Sequence, residues 1–228
     1  VSWNWKGGGT AVINNNGTIA SQVSANKDSG FSIVKYTGNG GSTAKTIGHG
    51  LSSAPEIIIS KNLDSSSYDW AVYTSATGNT KKLALNQSNA QATSGVWNDT
   101  SPTNSVFSVR YDQTNATGND FIAYCWHSVA GYSKIGTYEG NGTTRNVDLG
   151  FNPSWIMIKN ADAGSTAWNI VDTKRDTDTT LNLFLQANTS IAEANTTICS
   201  LITDGFSVTG TNTFNNSSGH TFIYMAFA

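Results

Sequence analysis

Apolar residues fall into short runs along the chain, and polar, glycine-rich turns separate these runs. Residues 57–59 and 155–158 form continuous apolar runs, which are typical of strands covered on both faces. Residues 69–73 and 81–85 instead alternate between apolar and polar side chains, as half-exposed strands do. Turn-forming residues recur about every eight to twelve positions, which is the spacing of a β-sandwich or jelly roll. The pattern therefore predicts an all-β, antiparallel fold.

The second half of the chain repeats the pattern of the first half. One series of landmarks recurs in the same order at a nearly constant spacing of about a hundred residues. The matched pairs are Pro55 and Pro153, Trp70 and Trp168, Phe107 and Phe206, and Tyr124 and Tyr224. This spacing predicts two tandem antiparallel β-sandwich repeats, jelly-roll-like in character, rather than a short-period solenoid. In the second repeat we expect Trp155, Trp168, Phe206 and Tyr224 to belong to the core.

These landmarks divide the chain into three parts. Residues 1–30 form a short β leader, residues 31–129 the first repeat and residues 130–228 the second repeat. The leader contains an Asn-Asn-Asn-Gly turn signal at residues 14–17, because Asn-Gly adopts positive φ at little cost. We expect this turn to reverse the chain between two short strands, and the leader strands to pair with the first repeat.

The composition supports a folded β-protein. Charged residues make up 12% of the chain, against about 25% in ordinary soluble domains. Gly, Ser, Thr and Asn are abundant instead, and these residues disfavour helices because they compete for backbone hydrogen bonds or increase backbone entropy. Seven Trp, eight Tyr and nine Phe supply enough large side chains for a packed core. Residues 190–194 are the one candidate for a helical turn.

The charge and hydropathy patterns exclude several classes of partner. A net charge of −2 without a basic stripe predicts that the chain does not bind nucleic acid. No apolar stretch approaches the roughly 20 residues of a membrane-spanning helix, so we expect no membrane insertion. No cofactor motif is present, and we expect no cofactor.

The chain contains two cysteines, Cys125 and Cys199. They occupy non-equivalent places in the two repeats, and both are expected to be buried free thiols that behave as small apolar side chains. A disulfide between the repeats is the alternative. Two cysteines without a nearby pair of histidines are too few for a zinc site.

A Gly-Asn-Gly sequence occurs at residues 38–40 and again at residues 140–142. Neither copy completes the Gly-x-Gly-x-x-Gly pattern, and no helix follows to present its N-terminus to a phosphate. The two sequences therefore predict β-hairpin turns.

Three carboxylates gather at Asp172, Asp176 and Asp178, a set of oxygens that Ca²⁺ favours. Lys174 and Arg175 lie among them, so a structural Asp172–Arg175 contact or a solvated loop is the preferred interpretation, and no metal is expected. No catalytic residues are predicted, because the chain has no Gly-x-Ser-x-Gly nucleophile motif. Glycan cleavage by two carboxylates remains the enzymatic alternative, since such pairs meet in space and not in sequence.

Trp97 is the one tryptophan that lies in a polar loop, within residues 93–100. An exposed tryptophan can stack on the face of a sugar, so Trp97 is the candidate glycan contact. The alternative is that Trp97 anchors a long loop to the core.

A specific motif series covers nearly the whole chain. It runs through residues 131–142, 149–159, 168–175, 203–206 and 221–228, with a matching upstream series at residues 5–9, 24–26, 30–34 and 48–55. This series resembles a domain of virion structural and tail-appendage proteins of marine tailed bacteriophages. The resemblance implies an extracellular β-module of a phage particle, and it implies no reaction. Arg175 has no counterpart in the first repeat.

The resemblance and the repeat together predict a non-enzymatic virion structural protein, a tail-fibre or appendage module for host-surface attachment. Its expected partners are other virion proteins, copies of itself and a host-surface glycan. Low surface charge and the resemblance predict a homo-oligomer, first a trimer, held by strand faces and by the leader around Trp3 and Trp5. The alternatives are a capsid-decorating or fibre-forming architectural subunit, or a secreted carbohydrate-binding or carbohydrate-active β-protein.

Overall fold

The computed structural model describes residues 2–228, which form 18 β-strands and two short helices. All pairings between the named strands are antiparallel. The all-β, antiparallel prediction is therefore confirmed. Within these residues, neither helix has the length and apolar character needed to cross a membrane.

The chain divides into two compact units. The first contains the residues up to Ala84 together with Ala92–His127, and the second contains Leu85–Gln91 together with Ser128–Ala228. The first unit has strands β1 (Val12–Asn14), β2 (Ser21–Asn26), β3 (Phe31–Thr37), β4 (Lys45–Gly48), β5 (Ile57–Asn62), β6 (Ala71–Thr74), β7 (Lys81–Ala84), β8 (Ala92–Thr93), β9 (Val106–Val109) and β10 (Asp120–Trp126). Its helices are a 3₁₀ turn at Gly95–Trp97 and α1 at Asp112–Asn115.

The second unit has eight strands. They are β11 (Ser133–Glu139), β12 (Thr144–Asp148), β13 (Trp155–Asn160), β14 (Asn169–Asp172), β15 (Thr180–Gln186), β16 (Ala194–Ile202), β17 (Gly205–Thr209) and β18 (Thr221–Phe227). The helical turn expected at residues 190–194 is wrong, because residues 190–193 have no regular structure and β16 begins at Ala194.

Hydrogen-bonded neighbours follow a corresponding order in the two units. The first unit contains the order β3-β10-β5-β6-β7-β8, and the second contains β11-β18-β13-β14-β15-β16. In the first unit β4 pairs with β9, and in the second β12 pairs with β17. The leader strands extend the first order, since β1 pairs with β2 and β2 pairs with β3. The superposition of residues 31–129 on residues 130–228 as tandem repeats stays a prediction.

The core of the first unit lies between its strand layers and is centred on Tyr36. The Tyr36 ring stacks on Phe121 at a centroid distance of 5.1 Å and meets the edge of Phe107 at 6.3 Å. Its hydroxyl donates to the backbone oxygen of Thr114 at 2.8 Å. Cys125 lies in the same cluster as a free, buried thiol. A buried tyrosine thus satisfies its polar atom without leaving the apolar core.

The core of the second unit has the same kind of centre. Tyr138 stacks on Phe222 at 5.0 Å and meets the edge of Phe206 at 6.1 Å, and its hydroxyl donates to the backbone oxygen of Asn215 at 2.6 Å. Cys199 is buried in this cluster as a free thiol. The expectation of two free thiols is confirmed. The four predicted core residues are all buried, namely Trp155, Trp168, Phe206 and Tyr224.

The two Gly-Asn-Gly sequences do not form β-hairpins, which corrects the sequence-based prediction. The first lies between β3 and β4, and the second between β11 and β12, but neither pair of strands is hydrogen-bonded to each other. Each turn therefore connects two strands that are not hydrogen-bonded neighbours. The local signal for a turn was correct, but adjacency of the flanking strands is decided by tertiary pairing, which the turn sequence does not encode.

We expect Trp168→Ala to destabilise the second unit by about 3–5 kcal/mol, because truncation of a buried aromatic side chain leaves a cavity. Circular dichroism during chemical denaturation measures the change. Ile191→Ala is the matched control in the same unit, since Ile191 is exposed and its truncation should change the free energy of unfolding by less than about 0.5 kcal/mol. A Trp168→Ala value equal to that of the control would contradict the core assignment.

Candidate binding cleft in the second unit

An open cleft of about 560 Å³ lies in the second unit, within the range of ligand-binding sites. Its lining comes from five separated stretches of chain, and all of them belong to the second unit. The lining residues are Asn86, Gln87, Ser88, Ser165, Thr166, Ala167, Asn169, Phe184, Gln186, Asn188, Thr189, Thr196, Ile198, Thr213 and Phe214. The cleft is therefore a product of tertiary structure and not of a local motif.

The lining of the cleft is polar but uncharged. Asn and Gln residues supply amide groups, and Ser and Thr residues supply hydroxyl groups. No Asp, Glu, His, Lys or Arg occurs among the described residues that line the cleft. Amides and hydroxyls both donate and accept hydrogen bonds. Such a surface matches a neutral ligand that is rich in hydroxyl groups.

Three large apolar side chains, Phe184, Ile198 and Phe214, complete the lining together with the small Ala167. Ile198 belongs to the buried core cluster, while Phe184 and Phe214 are partly buried and pack against it. The cleft is therefore continuous with the core of the second unit. Its aromatic rings offer an apolar surface next to the amides, a combination typical of sites that orient a small polar ligand.

Two amides and one hydroxyl form a directed chain of hydrogen bonds in the cleft. The Thr189 hydroxyl donates to Gln186 Oε1 at 3.0 Å, and Gln186 Nε2 donates to Asn169 Oδ1 at 3.3 Å. Asn169 is only 2% exposed, and its Nδ2 atom is buried without a hydrogen-bond partner. The chain of donors therefore ends in one unused amide NH₂ group.

Backbone contacts hold the loop at residues 161–168 against the segment Leu85–Gln91. Thr166 N donates to the backbone oxygen of Ser88 at 3.1 Å, and Gln91 N donates to that of Ala161 at 2.7 Å. Gln91 Nε2 also donates to Asp162 Oδ1 at 2.7 Å. These bonds fix the relative positions of the residues on this side of the cleft.

Lys159 supports the same loop from within the fold. Its side chain is fully buried on β13, and its ammonium group donates to Thr166 Oγ1 at 2.8 Å and to the backbone oxygen of Asn160 at 2.7 Å. Burial lowers the pKa of Lys159 to about 8, because the charged form is penalised away from water. Lys61 has a similar place on β5, where its ammonium group donates to the backbone oxygens of Ser65 and Tyr68.

The structure does not place Trp97 on a binding surface. Trp97 lies in the 3₁₀ turn Gly95–Trp97, is 1% exposed and meets the edge of Tyr73 at a centroid distance of 5.9 Å. A ring buried on both faces cannot stack on a sugar, so Trp97 is corrected from candidate glycan contact to core anchor of its loop. The surrounding loop is polar in sequence, which concealed the burial of its single large side chain.

The carboxylates near Arg175 have structural partners. Asp172 Oδ2 accepts from Arg175 Nε at 2.7 Å, and Glu193 accepts from Arg175 Nη1 at 2.5 Å. Burial on its own raises the pKa of Asp172, but the hydrogen bonds from Arg175 outweigh it and leave that pKa below its ordinary value. The preferred Asp172–Arg175 contact is confirmed. Among residues 2–228, no three His, Cys, Asp or Glu side chains are grouped to hold a metal ion.

Asp176 has a different structural role in the same stretch. Its Oδ2 atom accepts from the backbone N–H groups of Asn182 at 2.6 Å and Leu183 at 3.0 Å. The pairing of β15 with β16 shifts register between Leu181 and Leu183, so a carboxylate satisfies backbone groups at an irregular point of the sheet.

Sequence patterns within the second unit gave no signal for the cleft residues. Asn169 and Gln186 are cross-strand partners on β14 and β15, but they lie 17 positions apart in a chain full of Asn, Ser and Thr. The one available hint was the comparison of the two halves. Ala71 and Ala84 hold the corresponding pair on β6 and β7, so the amides are specific to the second unit.

Comparison with known proteins assigns a family. The family model described as Domain of unknown function (DUF7483) matches residues 1–228. The chain belongs to this family. No curated protein and no solved structure matches the chain. The family's description states no activity.

We expect the buried Lys159 to make stability depend on pH. Between pH of about 8 and 10.5 the unfolded chain retains the lysine proton more strongly than the folded chain does, so the contribution to the free energy of unfolding rises with pH. The difference in unfolding free energy between the parent and Lys159→Met should become more favourable to the parent over this range. Groups common to both proteins cancel in this difference.

Urea denaturation at a series of pH values measures the difference. Ile191→Ala changes no titratable group and serves as the control, for which the difference from the parent should not vary with pH. A pH-independent difference for Lys159→Met as well would contradict the assignment of a depressed pKa.

Proposed function

We propose that this chain is a non-enzymatic attachment module of a bacteriophage virion, part of a tail fibre or similar appendage, that binds a host-surface glycan in the cleft of the second unit. The observation that carries the proposal is the uncharged lining, in which amides and hydroxyls surround Phe184 and Phe214. Sugars present hydroxyl groups along their edges and apolar C–H groups on their faces. The lining has partners for both.

The composition of the lining favours binding over cleavage. Glycoside hydrolysis uses two carboxyl groups on either side of the scissile bond. The described residues that line the cleft supply neither carboxylate, and Asp172 and Asp176 are engaged in structural hydrogen bonds. A binding module needs no such pair, so glycan recognition is the function that this site supports best.

The placement in a phage particle rests on the motif resemblance. In that setting each virion carries many copies, and weak individual sites gain avidity once one copy is engaged. The proposed partners are therefore copies of this chain, other virion proteins and the glycan, and the proposed location is the virion. Attachment thus requires only modest affinity from each cleft.

A second candidate function is a purely architectural, fibre-forming or capsid-decorating subunit. It is favoured by β1, the edge strand of the first unit's sheet, where Val12 is 65% and Ile13 is 71% exposed. Exposed apolar side chains on an edge strand are typical of contacts with another chain. Glycan binding separates the two candidates, because an architectural subunit needs no sugar site.

We expect the parent protein to bind neutral glycans on an array and Thr196→Trp to lose at least about tenfold in affinity, because an indole placed on the exposed wall residue Thr196 fills the cleft. Asn195→Trp is the matched control. Asn195 is an exposed neighbour on the same strand but does not line the cleft, and successive side chains on a strand point to opposite faces.

The outcome for the control decides the location of the site. Loss of binding in both variants would place the glycan elsewhere, and a parent protein that binds no glycan would contradict the proposed function and leave the architectural candidate.

We propose that the module assembles as a homotrimer through strand faces and the leader. Within each chain the leader is anchored by Trp5, whose ring meets the edge of Trp126 at a centroid distance of 6.1 Å. Sedimentation equilibrium at tens of micromolar should give the trimer mass, and Val12→Lys/Ile13→Lys should weaken the assembly because charge on an edge strand opposes pairing. Leu63→Lys, at an exposed apolar residue outside the leader, is the control. If the parent protein is a monomer instead, a tethered binding module is the better description of this chain.

A further inference from the structure

We infer that the glycan carries an N-acetamido group, and that its carbonyl oxygen accepts a hydrogen bond from Asn169 Nδ2 in the cleft of the second unit. This inference rests on the proposed function and names the ligand class of the same site. The starting observation is the unused Nδ2 donor of a residue that is 2% exposed and lines the cleft. Buried donors in folded proteins nearly always have a partner, so an unused donor in a cleft indicates a missing acceptor.

The direction of the hydrogen-bond chain selects the kind of group that fits. Thr189 donates to Gln186 Oε1 and Gln186 donates to Asn169 Oδ1, so both amide oxygens already accept. Successive bonds of this kind polarise one another, which strengthens the terminal N–H as a donor. A carbonyl oxygen only accepts and so matches this end. A hydroxyl group would also have to place its own proton, whereas a carbonyl oxygen needs only the donor of Asn169.

The apolar side chains of the cleft match the rest of an acetamido group. Asn169 lies directly opposite Ile158 in the pairing of β13 with β14, so its side chain is on the face that carries the core. Phe184, Ile198 and Phe214 line the same cleft and pack with that core. An acetamido methyl group placed among them removes apolar surface from water, while the carbonyl oxygen bonds to Asn169.

Water does not reach Nδ2 in the structure, so the ligand oxygen reaches it only when a side chain of the cleft wall moves. Phe184 is the side chain that we expect to move, because it lines the cleft, is half-buried and takes no part in the hydrogen-bond chain through Gln186. Entry of the acetamido group is therefore coupled to a local side-chain rearrangement.

The first unit shows that the amide pair is not required by the fold. Asn169 pairs with Gln186 between β14 and β15, and Ala71 pairs with Ala84 between the corresponding strands β6 and β7. The first unit builds its sheet with two alanines at this place. The double variant Asn169→Ala/Gln186→Ala copies that arrangement, so it removes the hydrogen-bond chain and is expected to keep the strand pairing.

Saturation-transfer NMR on the full chain tests the inference with N-acetylglucosamine and N-acetylgalactosamine against glucose and galactose. Each acetylated sugar differs from its parent hexose only at the second carbon. We expect the acetamido methyl to receive the strongest transfer and the acetylated sugars to bind about tenfold more tightly, as one additional satisfied buried hydrogen bond allows. In Asn169→Ala/Gln186→Ala this preference should disappear. Asn146→Ala, an exposed amide on β12, is the control and should keep it.

The possible results separate this inference from the proposed function. Equal binding of acetylated and parent sugars, or a preference that survives in a folded double variant, overturns the acetamido assignment and leaves glycan binding in place. No transfer to any of the four sugars, together with a silent glycan array, overturns both. Circular dichroism establishes that the double variant is folded, and Asn169→Asp, which replaces the donor with an acceptor at nearly constant volume, provides a second test with the same expected loss of preference.

Discussion

The fold of each unit depends on one buried asparagine. Its side-chain amide forms hydrogen bonds with backbone groups of a turn whose flanking strands do not pair with each other. Asn216 is fully buried; its Oδ1 accepts from Asn141 N at 3.0 Å, and its Nδ2 donates to the backbone oxygens of Thr143 and Gly210, each at 3.0 Å. The strands on either side of the Gly-Asn-Gly turn do not pair with each other, so backbone groups of the turn bond to the Asn216 side chain instead of to a hairpin partner. In the first unit Asn115 similarly accepts from Asn39 N and donates to the backbone oxygen of Thr43.

This constraint explains the residues around it. A side chain at Gly140 would collide with the backbone oxygen of Ser217, so the turn needs glycine for its close approach. Asn215, directly before Asn216, offers its backbone oxygen to the Tyr138 hydroxyl. The tyrosine in turn stacks on Phe222 of β18. A turn, a buried amide and an aromatic core therefore support one another, and loss of the amide would leave several polar groups unsatisfied at once.

The sequence predicted features that depend on local periodicity and failed for those that depend on strand partners. Buried runs identified β5 and β13, and aromatic landmarks identified the core around Trp168, because apolar period and side-chain size are readable locally. The turn at residues 140–142 was predicted as a hairpin because its residues report backbone conformation but not which strands pair. Trp97 was misplaced for a related reason, since the polarity of a loop does not reveal the orientation of one ring.

Sequence analysis did not predict the cleft, because its amide pair is a feature of the second unit that the corresponding positions of the first unit lack. The first unit has Ala71 and Ala84 where the second unit has the longer Asn169 and Gln186, and both pairs lie at the end of the corresponding strand pairing. Asn169 accepts one hydrogen bond from Gln186, but its buried donor lacks a partner and lowers stability. An amide that the scaffold does not need, placed beside aromatic side chains in a cleft, is explained by a ligand that satisfies it. The fold supplies the rigid position, and the unsatisfied donor supplies the specificity.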